Sequence, residues 1–244
     1  MKQQAFELQV GGRRVPGVLF VPDLTAGPLP VVLAQHGGSS HKLGQEIHDW
    51  AEVFVARHGM ALASIDGPVH GDRRAGGADG ATRDVTRADF FKVWEGAGNG
   101  IAAMIDDWRA VIDWLCADAR FNNNAIGWAG ISMGTAYGLP LVAVEPRIKA
   151  AVLGMWGLSF VNSQPLADAA PGIACPVLFQ QKWDDELFTR DSQIDLFDRI
   201  GTTEKWLTVY PGKHVRVEGR QLRDMEEFLV ERLAGTGRGT AATP

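Results

Sequence analysis

Six short apolar runs constrain the architecture of this chain most: Val31–Ala34, Ala61–Ile65, Ala125–Ala129, Ala150–Leu153, Val177–Phe179 and Trp206–Tyr210. Each is continuous rather than alternating, the pattern of a strand covered on both faces. Helical spacing fills the segments between them. Ile101, Met104, Ile105, Trp108, Val111, Ile112 and Leu115 share one stripe, with Asp106, Asp107, Arg109 and Asp113 opposite. Leu222, Met225, Phe228, Leu229 and Leu233 form a second stripe. A third pattern, around Ile194, Phe197 and Ile200, stops at Gly201, which reads as the glycine just past a helix. Strands alternating with helices make βαβ units and a mostly parallel sheet with helices on both faces.

The first twenty residues break that rhythm. Phe6–Val10, Gly11-Gly12 and Arg13–Val21 read as a hairpin, antiparallel at one edge of the sheet. The fold class is therefore α/β, a three-layer α/β/α sandwich with a mostly parallel sheet and an antiparallel N-terminal edge hairpin. Strands start about 25 to 30 residues apart, except between 61 and 125. That interval holds the long amphipathic helix and an extra loop from Gly67 to Gly98, and no stretch is long enough for a large cap domain.

With 244 residues and 45% apolar content, one domain spanning residues 1–233 can bury roughly 70% of its unfolded surface. Ala234–Pro244 reads as a loose tail. Cys116 and Cys175 are isolated in apolar runs and read as buried small hydrophobes. A net charge of −5 argues against a nucleic-acid partner. The longest uncharged apolar stretch, Ala150–Val161, has 12 residues, short of the roughly 20 that a membrane span needs. The N-terminus lacks the pattern of a secretory signal, so the cytoplasm is the default compartment.

The strongest local signal is Gly130-Ile131-Ser132-Met133-Gly134, placed after a buried strand and before an apolar segment. Without that setting it would be only a glycine-rich turn with a capping serine. Within it, a sharp strand-to-helix turn lifts the Ser132 hydroxyl at the carboxyl edge of the sheet. Gly130 and Gly134 flank the serine because side chains there would strike the adjacent strand and helix. The helix N-terminus behind Ser132 favours negative charge on a tetrahedral intermediate. Pro140 is awkward for that helix and predicts a kink or an early end.

A serine nucleophile needs a base, and the base needs an orienting acid. Of six histidines only His214 follows Ser132, in a turn just past the last predicted strand. The strand at Val177 runs into Asp184-Asp185, whose side chains point in different directions, so one of the two faces His214. The order Ser, Asp, His then matches the nucleophile turn.

On these residues the chain resembles the α/β-hydrolases, in particular dienelactone-hydrolase-like and prolyl-oligopeptidase-related serine esterases. The resemblance runs from about Val18 to Leu233. It rests on His36-Gly37-Gly38, Asp66-Gly67-Pro68-Val69-His70-Gly71, Gly130–Gly134, Asp185-Glu186-Leu187-Phe188 and His214. In such proteins an apolar residue stands three past the acid, and Phe188 stands three past Asp185, which favours Asp185 over Asp184. The resemblance also implies an oxyanion hole from the N–H groups of Met133 and Gly38. Three departures shape the reading. Dienelactone hydrolases carry a cysteine nucleophile, so Ser132 points to general ester hydrolysis. Ser39 stands where the His-Gly-Gly-Gly esterases have a third glycine, which weakens the case for the second oxyanion donor. Gln181-Lys182 replaces a frequent His-Gly and alters the pocket wall. His36 and His70 invite a metal reading with Asp66 or Asp72, but no metal-ligand spacing supports it, and relatives use these histidines to brace loops. No cofactor or metal is called for.

The Gly67–Gly98 loop leaves a strand at the catalytic edge and is expected to overhang the serine. Phe91, Trp94, Trp156, Trp183 and Phe188 are candidates to line an apolar slot for the substrate, although aromatics more often pack loops down. Arg73, Arg74, Arg83 and Arg87 either recognise a substrate carboxylate or are solvated charges offset by Asp79, Asp84 and Asp89. The resulting expectation is a carboxylesterase, a monomer or homodimer, acting on small or medium soluble esters through an acyl-enzyme on Ser132. A peptidase, amidase or thioesterase of the same fold is the alternative among enzymes, and a non-catalytic hydrolase-fold binding protein the alternative of another class.

Overall fold

The computed structural model describes residues 1–24, 27–77 and 82–235. Eight strands form one sheet: β1 (Lys2–Val10), β2 (Arg13–Val21), β3 (Leu29–Gln35), β4 (Ala61–Ile65), β5 (Phe121–Gly130), β6 (Ile148–Gly154), β7 (Val177–Lys182) and β8 (Lys205–Tyr210). Their spatial order is β1-β2-β4-β3-β5-β6-β7-β8. The last six in sequence run parallel, while β1 and β2 pair antiparallel with each other and β2 antiparallel with β4. The edge hairpin turns on Gly11 and Gly12, both at positive φ, which suits a two-residue loop matched to strand twist.

Among the described residues seven α-helices accompany the sheet: α1 (Gln45–Ala51), α2 (Arg83–Glu95), α3 (Ile101–Cys116), α4 (Met133–Val144), α5 (Gln164–Ala169), α6 (Arg190–Arg199) and α7 (Gly219–Ala234). Side chains alternate along the buried strands, so each face feeds its own core. Val31, Leu33, Trp128, Leu153 and Phe179 pack with α2 to α6 on one face. Val32, Ala34, Ala129, Val152 and Leu178 pack on the other with α7, α1 and the π-helical turn Glu52–Arg57 that continues α1. Three layers result.

Several expectations change. The interval Gly67–Gly98 is not all loop: it contains a 3₁₀ turn at Gly71–Arg73 and the 13-residue helix α2. Helix α4 runs through Pro140 to Val144 instead of ending there. Gly201 is not a left-handed cap, because it is absent from the positive-φ glycines; a Cβ there would instead strike the Pro171 carbonyl. Helix α7 reaches Ala234, one residue into the expected tail, and residues 236–244 lie outside the described residues. Cys116 and Cys175 are both half-buried free thiols. Among the described residues no helix is long and apolar enough to cross a membrane.

Candidate active site

Strand β5 ends at Gly130, and α4 begins at Met133, so only two residues make the reversal. Ser132 takes φ +61° and ψ −117°, a conformation that a residue with a side chain adopts only under strain. The two flanking glycines permit the close packing. A Cβ on Gly130 would lie 2.7 Å from the Gly134 carbonyl, and one on Gly134 would lie 2.8 Å from the Gln35 carbonyl. The Thr135 hydroxyl locks the turn to β6, donating at 2.6 Å to the Gly154 carbonyl, while the Gly154 N–H donates to it at 2.7 Å.

His214 lies in the turn after β8, with its side chain mostly buried. Its Nε2 stands 2.9 Å from Ser132 Oγ and its Nδ1 2.9 Å from Asp185 Oδ2. Asp185 only accepts, so Nδ1 carries the proton and Nε2 is free to accept from the serine. The Asp185 side chain is fully buried. Its Oδ1 accepts the N–H groups of Leu187 and Phe188 at 2.9 and 3.0 Å. Asp184 faces solvent, and its N–H donates to the Gly212 carbonyl. Of the two adjacent aspartates, Asp185 is the one brought to the histidine.

The N–H groups of Met133 and Gly38 make no hydrogen bond within the described chain. Gly38 lies in the loop just after β3, where a small cluster fixes the backbone. His36 Nδ1–H donates to the Gly37 carbonyl at 2.8 Å, and its Nε2 accepts the Gly67 N–H at 3.0 Å. His70 Nε2–H donates to the Gly38 carbonyl at 3.1 Å. Burial pulls His70 down to about 4. Burial, then the neighbouring His70, holds His36 well below the ordinary histidine value. Both rings are neutral braces between loops. Among the described residues no group of three or more His, Cys, Asp or Glu is arranged to hold a metal.

Ser132 and His214 open onto a cleft of about 590 Å³. Its walls come from the loop after β3 (Gly37–His41), helix α2 (Arg83, Asp84, Thr86, Arg87, Phe90 and Phe91) and the turn after β8 (His214–Val217). Of the five aromatics expected to line an apolar slot, only Phe91 does. Trp94, Trp156 and Phe188 are fully buried. They pack behind the cleft, Trp94 edge-on to Trp156 with ring centroids 4.7 Å apart and Phe188 tilted against Trp156 at 4.6 Å. Phe188 in turn lies 5.5 Å from the His214 ring, so this cluster braces the acid-bearing loop. Trp183 is 56% exposed and lies under the Arg190 guanidinium, away from the cleft. Gln181 and Lys182 are also buried away from it. The cleft is more polar than expected because Ser39, Ser40, His41, Gln45, Arg74 and Arg83 line it beside Phe90 and Phe91.

The arginines separate in the same way. Arg73 is mostly buried and pairs with Asp107 at 2.8 Å, outside the cleft. Arg74, Arg83 and Arg87 line the cleft. Arg74 pairs with Asp89 at 2.6 Å and Arg87 with Asp84 at 3.1 Å. Asp79 lies outside the described residues. Three residues that sequence reasoning missed also serve the site. Glu186 accepts the His214 N–H at 2.8 Å, Gln193 donates to Asp185 Oδ2 at 3.4 Å, and Glu46 accepts the Gly37 N–H at 3.0 Å. No motif marks Gln193 or Glu46, and Glu186 stands within the acid-bearing motif with no role attached to it.

A strained serine at a β5–α4 turn, a histidine after β8 and an acid after β7, on an eight-stranded sheet with one antiparallel edge, define the α/β-hydrolase architecture. Known proteins agree. A cold-adapted esterase from an Arctic intertidal metagenomic library is 38% identical, with 95% of this chain and 94% of that one aligned at a TM-score of 0.81. The dienelactone hydrolase of Anabaena variabilis shares the fold at 20% identity and a TM-score of 0.67, over 96% of this chain and 97% of that one. A 2,6-dihydropseudooxynicotine hydrolase from Paenarthrobacter nicotinovorans is 31% identical over 151 residues, 62% of this chain and only 34% of that enzyme's length. No family model matches. The chain belongs to the α/β-hydrolase superfamily, among relatives that include esterases and dienelactone-hydrolase-like proteins.

Proposed function

We propose that this chain is a serine-dependent carboxylesterase acting on small or medium esters. One observation carries the reading: the continuous hydrogen-bonded path Ser132 Oγ, His214 Nε2, His214 Nδ1, Asp185 Oδ2, with both links at 2.9 Å, at a cleft that admits a ligand. Ser132 Oγ attacks the ester carbonyl carbon while His214 Nε2 takes its proton. Asp185 holds the ring in the required tautomer and stabilises the imidazolium. Negative charge on the carbonyl oxygen is met by the N–H groups of Met133 and Gly38, and by the positive end of α4. The imidazolium then gives its proton to the departing alkoxide. Water, deprotonated by the same nitrogen, releases the acid from the acyl-enzyme.

Support for ester chemistry comes from the 38% identical esterase, aligned over nearly both chains. The test is Ser132→Ala, expected to lower kcat on p-nitrophenyl esters by several orders of magnitude with the melting temperature unchanged. Turnover surviving in the folded variant overturns the assignment. A panel of p-nitrophenyl esters of increasing acyl length, with matching anilides, reads out the acyl preference and separates an esterase from an amidase.

A further inference from the structure

Gly37 and Gly38 carry four polar backbone groups between them. Three are held by side chains: the Gly37 carbonyl by His36, the Gly38 carbonyl by His70 and the Gly37 N–H by Glu46 Oε2. The fourth, the Gly38 N–H, has no partner among the described residues, and Gly38 lines the same cleft as Ser132. Two consecutive glycines have the widest conformational freedom of any dipeptide, so the direction of that N–H is only as fixed as its anchors. Glu46 is the anchor supplied by α1, and it is only 9% exposed. A carboxyl group that deep costs desolvation, and burial pushes its pKa above the ordinary carboxylic range. The fields of Arg216 from the turn after β8, Arg83 from the start of α2 and His214 oppose that rise.

We propose that Glu46 is a positioning residue of the oxyanion hole: it holds the Gly37 N–H and thereby aims the Gly38 N–H at the carbonyl oxygen of an ester bound to Ser132. This rests on the esterase reading above. What the site requires is an acceptor oxygen at that point, and the charge is incidental.

Two variants separate position from charge. Glu46→Gln keeps an acceptor oxygen at the same reach without the charge. Glu46→Asp keeps the charge but withdraws the oxygen by one methylene. Because the oxyanion contact exists only in the transition state, Glu46→Asp should lower kcat on p-nitrophenyl butyrate about 10- to 100-fold with KM within about twofold. Its Ki for a trifluoromethyl ketone, which forms a tetrahedral adduct on serine, should rise by the factor that kcat/KM falls. Glu46→Gln should stay within about threefold of the parent in kcat. An unchanged kcat in Glu46→Asp overturns the proposal. So does a tenfold or larger kcat loss in folded Glu46→Gln, the variant closer to the parent in shape. If Ser132→Ala retains turnover, the esterase reading itself fails; if Ser132→Ala is inactive and Glu46→Asp is normal, only the role of Glu46 fails.

Discussion

Asp184 and Asp185 are neighbours of identical chemistry, and their surroundings give them different work. Asp185 is buried and accepts two backbone N–H groups besides the His214 ring, whereas Asp184 is in water. Asp185→Asn should leave His214 with the wrong tautomer toward Ser132 and lower kcat by about a thousandfold or more. Asp184→Asn should stay close to the parent enzyme. Steady-state kinetics on a p-nitrophenyl ester decides it, and equal losses in the two variants would reassign the acid. The sequence supported this choice only through Phe188 three positions on. It could not supply the contacts of Glu186, Gln193 or Glu46, which join residues that no local motif links. Nor could it separate the aromatics that line the cleft from those behind it, because burial in a cluster such as Trp94, Trp156 and Phe188 is not encoded in any one segment.

At the scale of elements, legibility followed periodicity. Helix α3 buries Met104, Trp108, Val111, Ile112 and Leu115 on one stripe, and the stripe is visible in the sequence. Helix α2 buries only Phe90 and Trp94, too few to mark a helical face, so it reads as loop. Helix α1 passes into a π-helical turn, which breaks the 3.6-residue period. Pro140 lies within α4, and that helix is buried almost from end to end, so tertiary packing outweighs the lost backbone bond. The edge hairpin has its own lock. Phe6 pairs across the strands with Gly17, its ring filling the space a Cβ would need, and stacks on Trp114 at 4.6 Å. Gly17→Val should displace that ring and cost about 1–3 kcal/mol, several degrees of melting temperature, through overpacking. Esterase kcat should not change, since the hairpin is at the edge of the sheet; a melting temperature equal to the parent's would refute the lock.

For the whole molecule the buried histidines make stability depend on pH. His70 is pulled to about 4 by burial, against about 6.5 in an unfolded chain. Between those values the unfolded chain takes up a proton that the folded one refuses, so stability is complete above about pH 7 and falls as pH drops toward 4. His36 acts in the same direction, whereas Glu46, raised by burial, acts in the opposite one. For His70 alone the loss is about 3 kcal/mol. Urea unfolding at pH 7.5 and 4.5 measures it, and His70→Gln should flatten the dependence; an equal slope in that variant would remove His70 as its source.

The sequence by itself determined the layered α/β fold, the glycine-flanked turn that carries Ser132, and His214 as the histidine that meets it. Those signals are local: continuous apolar runs, two glycines flanking a serine, and one histidine after the last strand. The tertiary structure alone decided which carboxylate meets His214, what surrounds Gly38, and that polar side chains share the cleft wall while Trp94 and Trp156 pack behind it. These depend on side chains from β3, α1, α2 and the turn after β8 converging in space, and chain order does not specify which of their faces meet.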